Sequence, residues 1–592
     1  HLELAGRTGE AIERLLEAGD RARGLYAHQE AVGAYERALA LLKEQGDDDR
    51  AARTLMKLGL TYHTAYEFEQ SRKAYEEGFA LWQRSARSRA PASLPPAPHA
   101  YRGPWAEPLT LDPTRCGDIH SHAVIDQLLS ALVSLTPEMD IVPDVAQSWD
   151  VLEEGRKYVF HLRGDVRWTD GVPVTAGDFA CAMRRIVDPR TASPVPGMLY
   201  DIKGARPFHL GETTDADSVG IHCVGDHTLV IELEEPVGYF LHLLSHAYPV
   251  PLHLVETRGD GWIDDAVIVT NGPFRLESWS RGEALLLSRN PDYHGSFTGN
   301  LAHIQLLLNR TDEEELAMYE ADRLDVIPLR ESLSPDEVDR ARRLHADEYL
   351  TIPLLNTLFV TFDVRRPPFH DVRVRRAFAM ATDRGTLCDV NLGGLGFPAV
   401  GGFIPPGMVG HSSGTALPYD PDRATELLAE AGYPSGRGFP DVVAMASPAH
   451  ARRCRFLREQ WRQALRVDVR WQLADHKEVL TRIERSRAHL VMYAWIADYP
   501  DPDNMLRIGL SGISAGWTHT GYEKLVKEAR RLTDHSARIE RYLEAERILV
   551  EEVPLLPLEY DRTHLLVKPW IRRHPVSAMG FWYWKDVVME PH

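Results

Sequence analysis

Ala494-Trp495-Ile496-Ala497-Asp498-Tyr499-Pro500-Asp501-Pro502-Asp503-Asn504 follows directly on the apolar run Leu490-Val491-Met492-Tyr493. A short apolar run stopped by Pro and Asp reads as a buried strand ending in a turn. At its end stand a large aromatic, Trp495, and a lone carboxylate, Asp498, three residues apart. This pattern suits the floor of a cleft. A carboxylate delivered there by a strand keeps little hydration of its own and favours a ligand cation that replaces the lost water. The alternative reading is that Asp498 only caps or turns the chain.

Working outward, 592 residues are too many for one hydrophobic core and require several domains. Apolar content of 44% and charged content of 26% are those of a soluble globular chain. The formal charge of -19 argues against a nucleic-acid surface, which needs a net basic face, and is compatible with cationic or zwitterionic ligands. Cys116, Cys181, Cys223, Cys388 and Cys454 show no CxxC spacing, so neither a disulfide framework nor a zinc site is expected. No stretch approaches the roughly 18 apolar residues of a membrane helix.

The first 86 residues are rich in Ala, Leu, Glu and Arg and carry a repeat. Gly19, Ala31, Tyr35 and Ala38 recur as Gly59, Ser71, Tyr75 and Gly78. The spacing resembles tetratricopeptide repeats, in which small residues let paired helices approach and an aromatic fills the space between them. The period is longer than is usual for such repeats, and the excess is expected in the loop Glu44 to Asp49; a plain helical hairpin is the alternative. Two repeats are few for a free-standing array, so the segment is expected to continue upstream or to pack on something else. Residues 87–104, dense in proline (Pro91, Pro95, Pro96, Pro98, Pro104), read as a linker. Beyond it, period-two runs such as Tyr158–Arg163 and Thr228–Leu233 alternate with helical stretches at Phe179–Ile186, Asp420–Ala431 and Ile539–Glu552. The class is α/β.

Taken in order, Leu111-Asp112-Pro113, Pro143 to Trp149, Trp168-Thr169-Asp170-Gly171, Asn271-Gly272-Pro273-Phe274, Arg289 to Tyr293, Pro367-Pro368-Phe369, Asp371 to Arg375, Leu427 to Pro434 and Ala497 to Asn504 form a series of landmarks. The series resembles the extracytoplasmic solute-binding proteins of family 5, the oligopeptide and dipeptide class of ABC-transporter components. The resemblance implies a two-lobed periplasmic-binding-protein-like fold of type II. Lobe 1 would span 105–353 completed by 555–592, lobe 2 would span 354–554, and the hinge crossings would lie near Pro353–Asp363 and Pro554–Tyr560. It also implies that Asp498 salt-bridges a peptide ammonium, that Trp495 lines a side-chain pocket, and that the backbone around Tyr493, Ala494, Trp495 and Ile496 pairs with an extended ligand. A second ligand-pairing strand is implied at Gly117, Asp118, Ile119 and His120. Ala494 departs from the glycine of many members, and Ile496 replaces a cysteine that some members use in a disulfide.

Other chemistry is weakly supported. Gly410-His411-Ser412-Ser413-Gly414 fits GxSxG but lacks the flanking strand and helix of a nucleophile elbow. Gly394-Leu395-Gly396 is too short and too close to Pro398 for a dinucleotide loop. His120 and His122 would share a face, and so could share a metal, only in a strand. Asp501 and Asp503 read as turn formers beside Pro500 and Pro502.

The expectation is therefore a non-catalytic binder of a peptide or similar small solute, with no cofactor or metal, no nucleic acid and no membrane insertion, serving an ABC-transporter permease. Because His1 to Glu17 show neither an export signal nor a lipidation cysteine, a cytoplasmic location is favoured, with the extracytoplasmic one as alternative. In a cytoplasmic setting the chain would act as a regulator's solute-sensing module, with the helical repeats contacting a protein partner.

Overall fold

The computed structural model of the chain describes residues 7–24, 27–88, 100–263, 268–474, 478–479, 488–510, 516–532 and 534–592. They fall into two compact units. Unit 1 comprises His1–Ile327, Val567–Ser577 and Phe581–His592; unit 2 comprises Pro328–Leu566 and Ala578–Gly580. The segments expected to cross between lobes, Pro353–Asp363 and Pro554–Tyr560, lie inside unit 2, because the long strands Tyr349–Phe362 and Leu555–Val567 pair with each other there.

Unit 1 opens with four helices: α1 (Thr8–Gly24), α2 (His28–Gln45), α3 (Asp48–Thr64) and α4 (Phe68–Ser88). The repeat read in the sequence is a repeated contact. A Cβ on Gly19 would stand 2.4 Å from the Tyr35 ring, and one on Gly59 would stand 2.6 Å from the Tyr75 ring. Glycine at both places lets the paired helices close onto the aromatic. The extra length of the period does not lie in the loop expected at Glu44–Asp49, where only Gly46, in the left-handed conformation, and Asp47, whose carboxylate caps α3, stand between helices. It lies in the helices, which run 17 to 21 residues.

These helices pack on the rest of unit 1. Tyr75 and Phe79 meet Trp149 edge to face at 5.0 and 4.7 Å between ring centroids. Buried His63 bonds the carbonyl of Gly238 at 3.1 Å and the hydroxyl of Tyr158 at 2.9 Å. Burial lowers the His63 pKa to about 4, so the imidazole is neutral and bridges one acceptor and one hydroxyl. Arg23 pairs with Asp140, and Lys57 lies 2.6 Å from Asp20 and 3.5 Å from Asp140.

Of the expected linker, Pro91, Pro95, Pro96 and Pro98 lie outside the described residues. Its last part does not behave as a linker: Tyr101–Trp105, Pro104 included, is a strand paired in parallel with His303–Leu308. It is the edge strand of a four-stranded sheet, a position that tolerates a missing N–H. A second four-stranded sheet runs Ala146–Leu152, Lys157–Leu162, Thr228–Glu232, Ile221–Cys223, all antiparallel. The helix Ala176–Val187 beside it begins in a capping box between Thr175 and Asp178.

Unit 2 is built on a mixed sheet in which Leu555–Val567, Tyr349–Phe362, Leu490–Ile496, Val442–Ala446 and Val469–Leu473 lie side by side in that order. Helices Pro421–Glu430, Ala451–Leu465 and His535–Glu552 belong to the same unit. All five cysteines are free thiols.

Candidate ligand-binding site

Leu490–Ile496 pairs along its whole length with Tyr349–Phe362, from Leu490 opposite Phe362 to Ile496 opposite Asn356. On its other side Val442–Ala446 meets it only at Leu490 and Val491. From Met492 to Ile496, that second edge has no strand partner among the described residues. Side-chain burial changes at the same place: Leu490, Val491 and Met492 are buried, and Tyr493, Ala494, Trp495 and Ile496 are partly exposed. The apolar run anchors the strand, and its last four residues reach the surface with an open hydrogen-bonding edge.

The three aspartates that follow have separated into two roles. Asp501 and Asp503 are buried. Asp501 takes a two-pronged ion pair from Arg538 of the helix His535–Glu552, at 2.8 and 2.9 Å. Asp503 accepts from Tyr499 at 2.8 Å and from Arg507 at 2.6 Å. Burial alone would raise its pKa, but the charges of Arg507 and Arg530 win and hold it at about 2. Asp501 still shapes the turn, accepting the Asp503 N–H at 2.9 Å. The two are therefore core ion-pair acids and more than turn formers; for Asp501 only the distant Arg538 could reveal it, whereas the partner of Asp503, Arg507, is one helical turn away.

Asp498 is different. It is half-buried, and among the described residues it has no cationic partner. Burial, offset in part by an amide hydrogen bond from Asn504, raises its pKa to about 6. Asn504 is fully buried and binds three groups at once. Its Nδ2 donates to Asp498 Oδ2 at 3.0 Å, and its Oδ1 accepts the Trp495 indole N–H at 2.8 Å and the Asp498 main-chain N–H at 3.2 Å. The aromatic and the carboxylate are thus set by one side chain. Gly509 completes the seat, since a Cβ there would lie 2.8 Å from the Trp495 ring. Asn504 and Gly509 were not marked as site residues from the sequence, since nothing local shows that the turn folds back on Trp495.

In unit 1 the segment Gly117–His120 is not the strand expected. Asp118 is an N-cap whose Oδ1 accepts the Ser121 N–H at 2.8 Å, and the helix Ile119–Leu128 starts at the next residue. Only Gly117 and Asp118 keep non-helical backbone; Ile119 and His120 are in the first helical turn and exposed. Successive helical residues turn by about 100°, which points His120 and His122 apart. His122 is partly buried and packs against His246, Tyr248 and Phe581. Beyond that helix lies a polar recess lined by Asp126, Asp144, Tyr248, Tyr293 and Lys585 among others, whose carboxylates are engaged internally, Asp126 by Tyr248 at 2.8 Å and Asp144 by His294 at 2.7 Å. The GxSxG segment Gly410–Gly414 is irregular chain, and the next helix starts only at Pro421.

The model of the bacterial extracellular solute-binding proteins, family 5, matches residues 140–516. The chain belongs to this family. It shares 29% identity over 521 residues with the probable deoxycholate-binding periplasmic protein YgiS of Escherichia coli, covering 85% of this chain and 96% of that protein. Identity is also 29% with the periplasmic oligopeptide-binding protein OppA of Escherichia coli, over 79% of this chain and 88% of OppA. Among solved structures, the murein tripeptide-binding protein MppA of Escherichia coli superposes with a TM-score of 0.76 at 26% identity, over 83% of this chain and 98% of MppA. The α/β periplasmic-binding-protein-like fold expected from the sequence is therefore the fold of this chain, and its function is non-catalytic solute binding. The helices α1 to α4 lie outside the matched residues. The cytoplasmic location favoured from His1–Glu17 is overturned: the family is extracellular and both relatives are named periplasmic. The reading as a cytoplasmic regulator's sensing module falls with it.

Proposed function

We propose that this chain is the peptide-binding component of an ABC transporter and that Asp498 receives the amino terminus of the peptide. The observation that carries the reading is Asp498 itself, a half-buried carboxylate without a cation, fixed by Asn504 beside Trp495 at the open edge of Leu490–Ile496. A peptide ammonium supplies the missing charge, and its main chain satisfies the edge groups of Tyr493 to Ile496. A steroid acid such as the deoxycholate named for one relative offers Asp498 no cation, so the peptide is preferred. The α1–α4 segment is a pair of tetratricopeptide-like repeats, supported by the recurrence of the Gly19–Tyr35 contact at Gly59–Tyr75, and contacts a protein partner through surface that the rest of unit 1 leaves uncovered.

Isothermal calorimetry with trialanine, N-acetyl-trialanine and deoxycholate tests the assignment. Trialanine should bind, acetylation should weaken it by tenfold or more as expected for a lost charge-assisted hydrogen bond, and deoxycholate should not compete. Equal affinity for the acetylated and free peptides would remove Asp498 from its role.

A further inference from the structure

Unit 1 holds a charged group that peptide binding at Asp498 does not use. Lys585 stands between Trp584 and Val587, both fully buried, and its carbonyl accepts the Gly299 N–H at 3.0 Å, so the fold fixes where its side chain begins. That side chain lines the polar recess with Asp126, Asp144, Tyr248 and Tyr293, and every residue of the lining belongs to unit 1. Among the described residues the Lys585 ammonium makes no hydrogen bond and has no carboxylate oxygen within 4.0 Å.

The two aspartates have taken other partners. Asp126 accepts from the Tyr248 hydroxyl at 2.8 Å and from the Gln127 amide at 3.3 Å. Asp144 Oδ1 is bonded by His294 Nε2 at 2.7 Å, and its Oδ2 has no donor among the described residues. A lysine kept only as counter-ion to these carboxylates would lie in ion-pair contact with one of them. Lys585 instead acts on both from a distance, across the recess.

We propose that this recess is a second ligand site, one that takes a small free α-amino acid, with Lys585 receiving the carboxylate and Asp144 the ammonium. The recess presents one ammonium and two carboxylates around a gap. A simple anion would add a third negative charge beside a single cation, and a simple amine would meet Lys585 with a like charge. A zwitterion adds one charge of each sign and bonds each to its opposite. Leu129, Val133 and Phe581 complete the lining with apolar surface for a short side chain. Measured out to its solvent mouth, the recess encloses about 530 Å³, the size class of small-molecule sites. Asp498 lies in unit 2, so the two sites load independently and the amino-acid site does not rest on the peptide reading.

Isothermal calorimetry with L-alanine, propionate and ethylamine reads this out. Wild-type protein should bind L-alanine about tenfold or more tightly than either of the others, each of which lacks one of the two charges. Lys585→Gln should weaken L-alanine by about tenfold or more, a cooperative thermal melt showing that the variant is folded, whereas Asp498→Asn should leave L-alanine affinity within about twofold. If Lys585→Gln does not fold, the isosteric Asp144→Asn takes its place with the same expected loss. No binding of L-alanine to wild-type protein, equal affinity for the three compounds, or an L-alanine affinity unchanged in the recess variant would overturn the site. Loss of L-alanine binding in Asp498→Asn would overturn it too, because the amino acid would then occupy the place assigned to the peptide's amino terminus.

Discussion

At the residue scale, the site turns on how the protein treats a carboxylate. Asp503 is given two guanidinium groups and is held ionised, whereas Asp498 is given an amide and is left with a pKa near 6. Its folded pKa lies above its unfolded value, so in the ligand-free protein its ionisation costs stability as pH rises through about 4 to 6. Asp498→Asn is therefore expected to stabilise the ligand-free protein at pH 7.5 by about 1–2 kcal/mol after discounting for partial exposure, and to change nothing at pH 4. Thermal melts at the two pH values check this, and an equal effect at both would contradict the assigned pKa. Binding of a cation has the opposite sign. Trialanine affinity should fall about tenfold from pH 7 to pH 5 as Asp498 takes up a proton, and the fall should vanish in Asp498→Asn, as followed by calorimetry. The carboxylate and the aromatic were legible in the sequence because both sit where an apolar run meets proline. Asn504 was not, because its contacts depend on a turn whose path local residues do not specify.

At the element scale, helices and strands differ in how much the sequence revealed. The α1–α4 repeat was visible because a glycine and a tyrosine at fixed spacing leave the same mark twice. Gly59→Val places a side chain into the Tyr75 ring and should destabilise the protein by about 1–3 kcal/mol. Gly33→Ala, in α2 with open space around it, should stabilise by about 0.5–1 kcal/mol through helix propensity. Denaturant unfolding compares the two, and a similar loss in both would mean that the close approach is not what requires glycine. The segment Gly117–His120 shows the opposite case. A strand was expected there from the resemblance alone, and Asp118 began a helix instead because its carboxylate caps Ser121. Tyr101–Trp105 was hidden by Pro104, which is tolerated only because the strand lies at a sheet edge.

At the scale of the whole molecule, α1–α4 are part of unit 1 and not an appendage. They cover Trp149 and Tyr158, which are 3% and 0% exposed, and they satisfy Asp140 with Arg23 and Lys57. Deletion of residues 1–88 should lower the melting temperature and expose this aromatic face to a hydrophobic dye, while leaving trialanine affinity within about twofold because Asp498 and the open edge belong to unit 2. An unchanged melt would show that the helices add nothing to the stability of unit 1. By itself the sequence determined the α/β class, the family through its ordered landmarks, the helical start of the chain, and the strand that delivers Trp495 and Asp498. These are set by periodicity and by neighbours within a few residues, which local chemistry records. Tertiary structure alone decided which of three similar aspartates stays without a cation, that Asn504 positions Asp498, and that α1–α4 dock on Trp149. Two of these depend on groups brought together from distant parts of the chain, as Arg538 is to Asp501 and Tyr75 to Trp149, and the third on a turn that folds Asn504 back over the intervening residues.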